Sequence, residues 1–258
     1  MEFYYVVLLF SIGLIGSFIS GMLGIGGAIV KFPMILMIPP LFGFQAFTSH
    51  QVSGISALDV LFVSIAGVLG YRKAGYINKS LIFVMGSSVL IGSLIGSFES
   101  DMLTEIQVNI VYGILALIAA IMMFVPKKQI DESHIKQVTF NKPLAAILAF
   151  IVGVGSGIVG AGGGFLLIPI MLVVLHIPTR MAIASSLAIT FISAIAGSIG
   201  KIATGQVEYL PAIIIILAGI IAAPIGAKVS TKLNTKVLEN ILAFLLLGTA
   251  MKVWMDII

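Results

Sequence analysis

The sequence predicts an all-α, polytopic transmembrane protein with two homologous halves of about five hydrophobic segments each. Of its 258 residues, 60% are hydrophobic and only 9% are charged, whereas soluble domains carry charge on about a quarter of their residues. The apolar residues form long runs separated by polar, Gly or Pro residues, and two sequence blocks recur in the same order. This composition excludes a cytosolic globular enzyme, a disordered chain and a collagen.

Ten apolar segments are candidates for membrane helices, which need about 20 mostly apolar residues. In the first half they cover residues 3–22, 27–42, 49–70, 80–98 and 106–125. In the second half they cover residues 143–160, 163–177, 181–203, 209–228 and 237–257. The second and seventh segments are only about 15 residues long, so full crossings, tilted or broken helices and re-entrant loops all stay open for them.

Two sequence blocks are shared by the halves. The block GMLGIGGAIVKFPMIL, which begins at Gly21, aligns with GIVGAGGGFLLIPIML, which begins at Gly157. A second block, IAGVLGYRKAG from Ile65, aligns with IAGSIGKIATG from Ile195. Because the order is the same, a duplication is predicted. It gives a first transmembrane repeat at 1–125, a cytoplasmic linker at 126–142 and a second transmembrane repeat at 143–258.

The loop charges predict the orientation of the chain, because Lys and Arg are enriched in cytoplasmic loops. If the linker is cytoplasmic, the basic loops at Arg72 and Lys232 are cytoplasmic too, and the acidic loop from Glu99 to Glu105 lies outside. This placement requires an odd number of crossings in each half. The halves are then inverted repeats, as in many secondary transporters, and both termini are predicted to lie outside.

Each half has a glycine-rich run directly after its first hydrophobic segment. Glycine weakens a helix, so the helices are predicted to break there. The helix that follows a break begins with free N–H groups that can bind an anion. The alternative is that these glycines only allow close helix packing, as the pairs Gly92/Gly96 and Gly153/Gly157 would. The predicted substrate-binding glycines are Gly24, Gly26, Gly27, Gly160, Gly162, Gly163 and Gly164.

A polar cluster follows each glycine run at the start of the next long segment. Hydroxyl and amide groups can replace the water shell of an oxyanion without a fixed charge, although a single Ser or Thr often bonds to its own helix instead. The predicted binding residues are Thr48, Ser49, His50 and Gln51 in the first half and Ser185 and Ser186, with Thr190 one turn later, in the second.

Two charged residues within the segments are predicted to take part in coupling or in binding charge. Lys31 either adds a positive charge to the first anion site or extends to the cytoplasmic face. Asp59 lies deep in its segment, where it serves either as a proton or cation relay or as a helix-pairing residue. Lys201, near the outer end of its segment, is predicted to be interfacial.

With these motifs the sequence resembles the TauE/SafE family of membrane proteins, the sulfite exporter family. The resemblance rests on two halves that each have a GxGG(G) run, a proline six residues later (Pro33 and Pro169) and then a Thr-Ser or Ser-Ser pair. It implies a transporter of the cytoplasmic membrane for small sulfur-containing anions such as sulfite or organosulfonates. The sequence departs from the pattern at Ala28, which aligns with Gly164, and at His50, which has no counterpart.

The residues and the resemblance both predict a secondary carrier rather than an enzyme. The sequence has no Walker A motif and no G-x-S-x-G elbow. It has no Cys and only three His residues, so no metal, cofactor or nucleic-acid partner is expected. Export is predicted because an anion leaving a negative interior gains about 2.3 kcal/mol per charge per 100 mV.

Two alternatives to export of a sulfur-containing anion stay open. One is proton- or cation-coupled uptake of another small anion, and the other is an intramembrane enzyme. The predicted partners are the small anion and the lipid bilayer, and the sequence leaves open whether the chain forms a homo-oligomer.

Overall fold

The structure is a computed structural model, and it describes residues 3–71, 74–125 and 138–257. All regular secondary structure in these ranges is helical, and eight of the helices are long and apolar enough to cross a membrane. The helices are α1 (Phe3–Leu23), α2 (Ala28–Leu41), α3 (Ser49–Tyr71), α4 (Lys79–Glu99), α5 (Glu105–Phe124), α6 (Lys142–Val159), α7 (Gly164–Pro169), α8 (Thr179–Ala203), α9 (Tyr209–Ser230) and α10 (Thr235–Ile257). The all-helical prediction is thereby confirmed. Residues 126–137 of the predicted linker, and Arg72 and Lys73, lie outside the described residues.

The chain returns to the same two ends of the bundle after successive helices. At one end, Gln51 in the first turn of α3 donates a hydrogen bond to Glu208, which precedes α9 (2.8 Å). At the other end, Arg180 lies over the ring of Tyr76 at 5.8 Å and donates to the carbonyl of Thr231 (2.9 Å). We call these the terminus end, where α1 begins, and the linker end, where α5 stops.

The long helices pack through their glycines. A Cβ added at Gly96 of α4 would lie 1.9 Å from the carbonyl oxygen of Val154 in α6, and one added at Gly21 of α1 would lie 2.1 Å from that of Ala223 in α9. Such distances require backbones in direct contact, which only small residues allow. The pairs Gly92/Gly96 and Gly153/Gly157 face each other in this way between α4 and α6.

The closest helix pairs join the two halves. Helix α1 of the first half corresponds to α6 of the second, and α4 corresponds to α9, so the pairs α1–α9 and α4–α6 are equivalent. The pairs α3–α8 and α5–α10 each join a helix to its own counterpart. Helices α3 and α8 run antiparallel, since Ser198 donates to the carbonyl of Ala57 while Gly67 lies against Leu187. An inverted duplication would produce antiparallel pairing of equivalent helices.

Helices α2 and α7 cross only part of a membrane. At 1.5 Å per residue α2 is about 21 Å long, against about 30 Å for a hydrocarbon core. It runs back toward the start of α1, because the ring of Phe44 lies 4.9 Å from that of Tyr5. Helix α7 continues through a π-helical turn (Ile170–Val174) and is shorter still. Both helices are therefore too short to span a membrane on their own.

A proline and a tyrosine fix the position of α2. Pro33 has no N–H group, so the carbonyl of Ile29, four residues earlier, lacks its helical partner. The hydroxyl of Tyr112 in α5 donates to that carbonyl at 2.6 Å, and the Tyr112 ring stacks on Phe32 with centroids 4.6 Å apart. Helix α5 thus satisfies the group that the proline leaves unpaired and attaches α2 to the bundle.

Candidate functional site

The two glycine runs are breaks with the same backbone conformation. We call residues 24–27 the first break and residues 160–163 the second. Positive φ angles favour glycine, because a Cβ would clash with the backbone. Positive φ occurs at equivalent positions of the two breaks, namely Gly24 (77°), Gly26 (74°) and Gly27 (103°) in the first and Gly160 (72°), Gly162 (65°) and Gly163 (77°) in the second.

The two breaks meet around the same pair of side chains. A Cβ at Gly26 would lie 2.4 Å from Thr190 Cγ2 and 3.4 Å from Val60 Cγ1, and a Cβ at Gly162 would lie 2.7 Å from both. Val60 and Thr190 stand near the middles of α3 and α8. Gly164, which begins α7, approaches the backbone of Ile25 so closely that its Cβ would lie 2.9 Å away. The breaks therefore touch halfway through the bundle.

The helices that follow the breaks begin without side-chain caps. Polar side chains cap some of the other helices, as Asn78 does for α4 and Thr104 with Gln107 does for α5, whereas α8 and α9 have no side-chain cap. Helices α2 and α7 instead begin after Gly27 and Gly163, which have no side chain to accept a hydrogen bond. Their first N–H groups have no partner within the helix, and the helix dipole makes these ends partly positive.

Buried hydroxyl groups surround the breaks. Ser186 donates to the carbonyl of Gly24 at 2.7 Å. The hydroxyls of Ser20, Ser56 and Thr190 are buried, and among the described residues they have no hydrogen-bond partner. A buried hydroxyl without a partner costs roughly 1–3 kcal/mol. Of these residues, Thr190 lies against both breaks, so its hydroxyl is available to a polar ligand that enters between them.

The structure does not bring the two predicted polar clusters together. Thr48 and Gln51 bond to each other's backbone N–H groups and cap the start of α3, and His50 bonds to the α4–α5 loop. At 1.5 Å per residue, Thr48 lies about 18 Å along the helix from Val60. Ser49 lies at this same terminus end of α3. The role of this cluster in binding stays a prediction.

Ser185 and Ser186 face different parts of the molecule. The hydroxyl of Ser185 accepts a hydrogen bond from the backbone N–H of Asn78 at 3.0 Å, whereas Ser186 faces the first break. Ser56, the counterpart of Ser186, was not among the predicted residues. The alignment of Ile65 with Ile195 contains the signal, because the same offset pairs Ser56 with Ser186.

Lys31 and Asp59 form a buried ion pair beside the first break. Each side chain is 1% exposed, and the Lys31 ammonium also donates to Ser17 at 2.9 Å. A Cβ at Gly27 would lie 2.8 Å from Lys31 Nζ and 3.4 Å from Asp59 Oδ2. Lys31 therefore does not extend to the cytoplasmic face, because its partner carboxylate lies in the interior.

Lys201 is buried, contrary to the prediction that it is interfacial. Its side chain is 0% exposed, and its ammonium donates to Ser100 Oγ (2.6 Å), the carbonyl of Ile158 (2.8 Å) and Gln206 Oε1 (2.8 Å). These acceptors match its three N–H groups. Because Ile158 lies at the end of α6, the positive charge also stabilises the negative end of that helix.

Comparison with known proteins places the sequence among transporters. The sequence model described as "Sulfite exporter TauE/SafE" matches residues 9–253. "Probable membrane transporter protein YunE" of Bacillus subtilis is 27% identical over 228 residues, which cover 81% of this chain and 83% of that protein. A "Probable membrane transporter protein" of Xylella fastidiosa is 26% identical, with coverage of 68% and 65%. "Probable membrane transporter protein YdhB" of Bacillus subtilis is 25% identical, with 80% coverage of both chains. No solved structure matches the chain.

Proposed function

Since the chain belongs to the TauE/SafE family and is a membrane transporter, we propose that it is a secondary carrier of small sulfur-containing anions such as sulfite or organosulfonates. The observation that carries this proposal is the meeting of the two breaks around Val60 and Thr190. A carrier needs a binding site that either side of the membrane can reach in turn, and such sites lie near the midplane between repeats. The transporter names of the relatives also agree with a protein that is not an enzyme.

The chemistry of the breaks suits an oxyanion. The N–H groups at the starts of α2 and α7 and the hydroxyls of Ser56 and Thr190 are hydrogen-bond donors, while the predicted Ser186 hydroxyl would have to exchange its bond to Gly24 for one to the anion. Two partly positive helix ends can hold an anion without a full positive charge from a side chain.

We propose export as the direction and the cytoplasmic membrane as the location. The membrane potential favours the exit of an anion by about 2.3 kcal/mol per charge per 100 mV, so export needs no coupled ion. In this proposal the halves are inverted repeats, the segment 126–142 is cytoplasmic and both termini lie outside. The antiparallel pairing of α3 with α8 supports the inverted arrangement.

Proton-coupled uptake is a second candidate because of one specific observation. Asp59 is a carboxyl group buried at the first break, in contact with Lys31. Ionisable groups inside a membrane protein are costly and often mark ion or proton pathways. A proton bound there during transport would let the pH gradient drive an anion inward.

The test is a flux assay in proteoliposomes. Sulfite, sulfate, thiosulfate and methanesulfonate are offered one at a time under an imposed potential, and liposomes without protein give the background. We expect at least one of them to move, and Gly163→Val should abolish the flux because its Cβ would meet Val152 Cγ1 at 2.9 Å at a positive φ. Gly43→Val is the control, since Gly43 has a similar φ but no atom within 4 Å of its Cβ.

Three results would contradict these proposals. If the wild-type protein moves none of the four anions, the substrate class is wrong. If Gly163→Val transports normally, the glycines serve packing only and the site is elsewhere. A flux that follows a pH gradient and ignores the potential would favour uptake over export.

A further inference from the structure

The ion pair between Lys31 and Asp59 exists in only one half of the chain. The first repeated block aligns Lys31 with Leu167, and the offset of the second block, extended six residues toward the N-terminus, pairs Asp59 with Ile189. Leu167 and Ile189 are both fully buried. The second half thus has buried apolar side chains at the two equivalent positions, so it does without charges there.

Burying the charged pair costs more free energy than burying apolar side chains at the equivalent positions. Removing an ammonium and a carboxylate from water costs several kcal/mol each, and replacing such pairs by apolar residues is often neutral or stabilising. In addition, the second carboxylate oxygen of Asp59, Oδ1, is buried and has no hydrogen-bond partner among the described residues. Stabilisation of the fold alone does not explain why one oxygen of the Asp59 carboxylate is buried without a hydrogen bond.

The carboxylate of Asp59 lies where a bound anion is expected. Its Oδ2 would be 3.4 Å from a Cβ at Gly27, the residue before the first turn of α2, and Lys31 belongs to that first turn. On the opposite side, a Cβ at Gly219 of α9 would lie 3.3 Å from Oδ1. Both glycines let the backbone approach the carboxylate closely, since the same Cβ positions would lie 2.8 Å from Lys31 Nζ and 2.4 Å from Val63 Cγ2. A helix start with an ammonium group beside it attracts anions.

We propose that Asp59 is an internal competitor of the transported oxyanion for Lys31 and the first turn of α2. In the empty carrier Asp59 neutralises Lys31. The oxyanion binds Lys31 when Asp59 takes up a proton from the water on the side from which the anion enters, and both leave together on the other side. This inference rests on the proposed function in its proton-coupled form, the second candidate above, because one proton that travels with one monovalent anion carries no net charge across the membrane. It makes Lys31 a substrate-binding residue.

This exchange keeps the charge inside the membrane balanced in both states. The empty carrier contains a neutral ammonium–carboxylate pair, and the loaded carrier contains an ammonium–oxyanion pair beside a neutral carboxylic acid. The groups that α1, α2 and α9 present to Asp59 are Ser17, Lys31 and Gly219. Lys31 is the charged group among them, so the proton and the oxyanion act on the same partner.

The proposal is tested by measuring the binding of methanesulfonate to the purified full-length protein at pH 8 and at pH 6. This probe keeps its charge over the whole range, so a change in affinity reports on the protein. Wild-type affinity should rise as the pH falls. Asp59→Asn should bind about tenfold tighter than wild type at pH 8, within the usual range for coupled sites, and its affinity should not change with pH. Lys31→Met should bind weakly at both values.

The second half of the chain supplies the matched control. The double variant Lys31→Leu with Asp59→Ile copies Leu167 and Ile189, so it should fold with wild-type thermal stability or better. It should bind the probe weakly and without the pH dependence. If Asp59→Asn does not fold, this double variant decides, because wild-type pH dependence in it would overturn the proposal.

The outcomes separate this inference from the proposed function. If Asp59→Asn binds no tighter than wild type, or if its binding still follows pH, the competition by Asp59 is refuted while the carrier function stands. If neither the wild type nor any variant binds methanesulfonate, sulfite, sulfate or thiosulfate, the proposed function fails and the inference fails with it.

Discussion

One added methyl group at Gly26 should lower the free energy of unfolding by about 2–5 kcal/mol, from two separate causes. Gly26 has φ +74°, and a left-handed conformation costs other residues roughly 1–2 kcal/mol. The new Cβ would also lie 2.4 Å from Thr190 Cγ2, and overpacking of this kind costs roughly 1–3 kcal/mol.

Two further variants separate these causes. Gly43 has φ +80° with no atom within 4 Å of its Cβ, so Gly43→Ala should show only the conformational cost of about 1–2 kcal/mol. Thr190→Ser removes Cγ2, after which the nearest side-chain atom of another residue to the new Cβ is Val60 Cγ1, at an ordinary 3.4 Å. Combining Thr190→Ser with Gly26→Ala should therefore restore most of the unfolding free energy that overpacking removes.

The assay is equilibrium unfolding in mixed micelles, followed by far-UV circular dichroism, with anion flux measured on the same preparations. We expect the double variant to regain stability without regaining transport, because the Cβ still keeps an anion away from the backbone of the break. Equal losses for Gly26→Ala and Gly43→Ala would refute the close packing on Thr190. Full transport by the double variant would show that Gly26 serves packing alone.

Three other predictions concern topology, hydrogen bonding and helix packing. The chain has no Cys, and Met102 and Asn234 are exposed. An impermeant maleimide on intact cells should therefore label Met102→Cys and not Asn234→Cys. The reverse labelling would refute the proposed orientation. Ser186→Ala should lower the unfolding free energy by about 0.5–1.5 kcal/mol in a denaturant titration. In the same titration Gly96→Ala should cost about 1–3 kcal/mol or more, whereas Gly248→Ala, with open space around it, should not destabilise.

The long helices could be predicted from the sequence because a sufficiently long apolar segment is enough to identify a membrane helix. The segments at 27–42 and 163–177 could not be assigned as full or partial crossings, since about 15 apolar residues fit both. Their arrangement depends on tertiary contacts such as the hydrogen bond from Tyr112 to Ile29, which links residues far apart in the sequence.

The site could be predicted only in part. The glycines were found because a run of residues without side chains breaks a helix wherever it occurs. Thr48 was predicted because it follows the first glycine run closely in the sequence. The residue equivalent to Ser186 is instead Ser56, two turns further along α3. The pairing of Lys31 with Asp59 was also not predicted, because the depth and rotation of a helix follow from its packing rather than from spacing along the chain.

The pairing of α1 with α9 has a consequence for how the protein is made. At about 5–20 residues per second, roughly 10–40 s pass between the synthesis of Leu23 and that of Tyr209. During this time the small-residue surface of α1 has no native partner in the membrane, and α4 waits in the same way for α6. Neither half can complete its packing alone, because the native partner of α1 is made only in the last third of the chain.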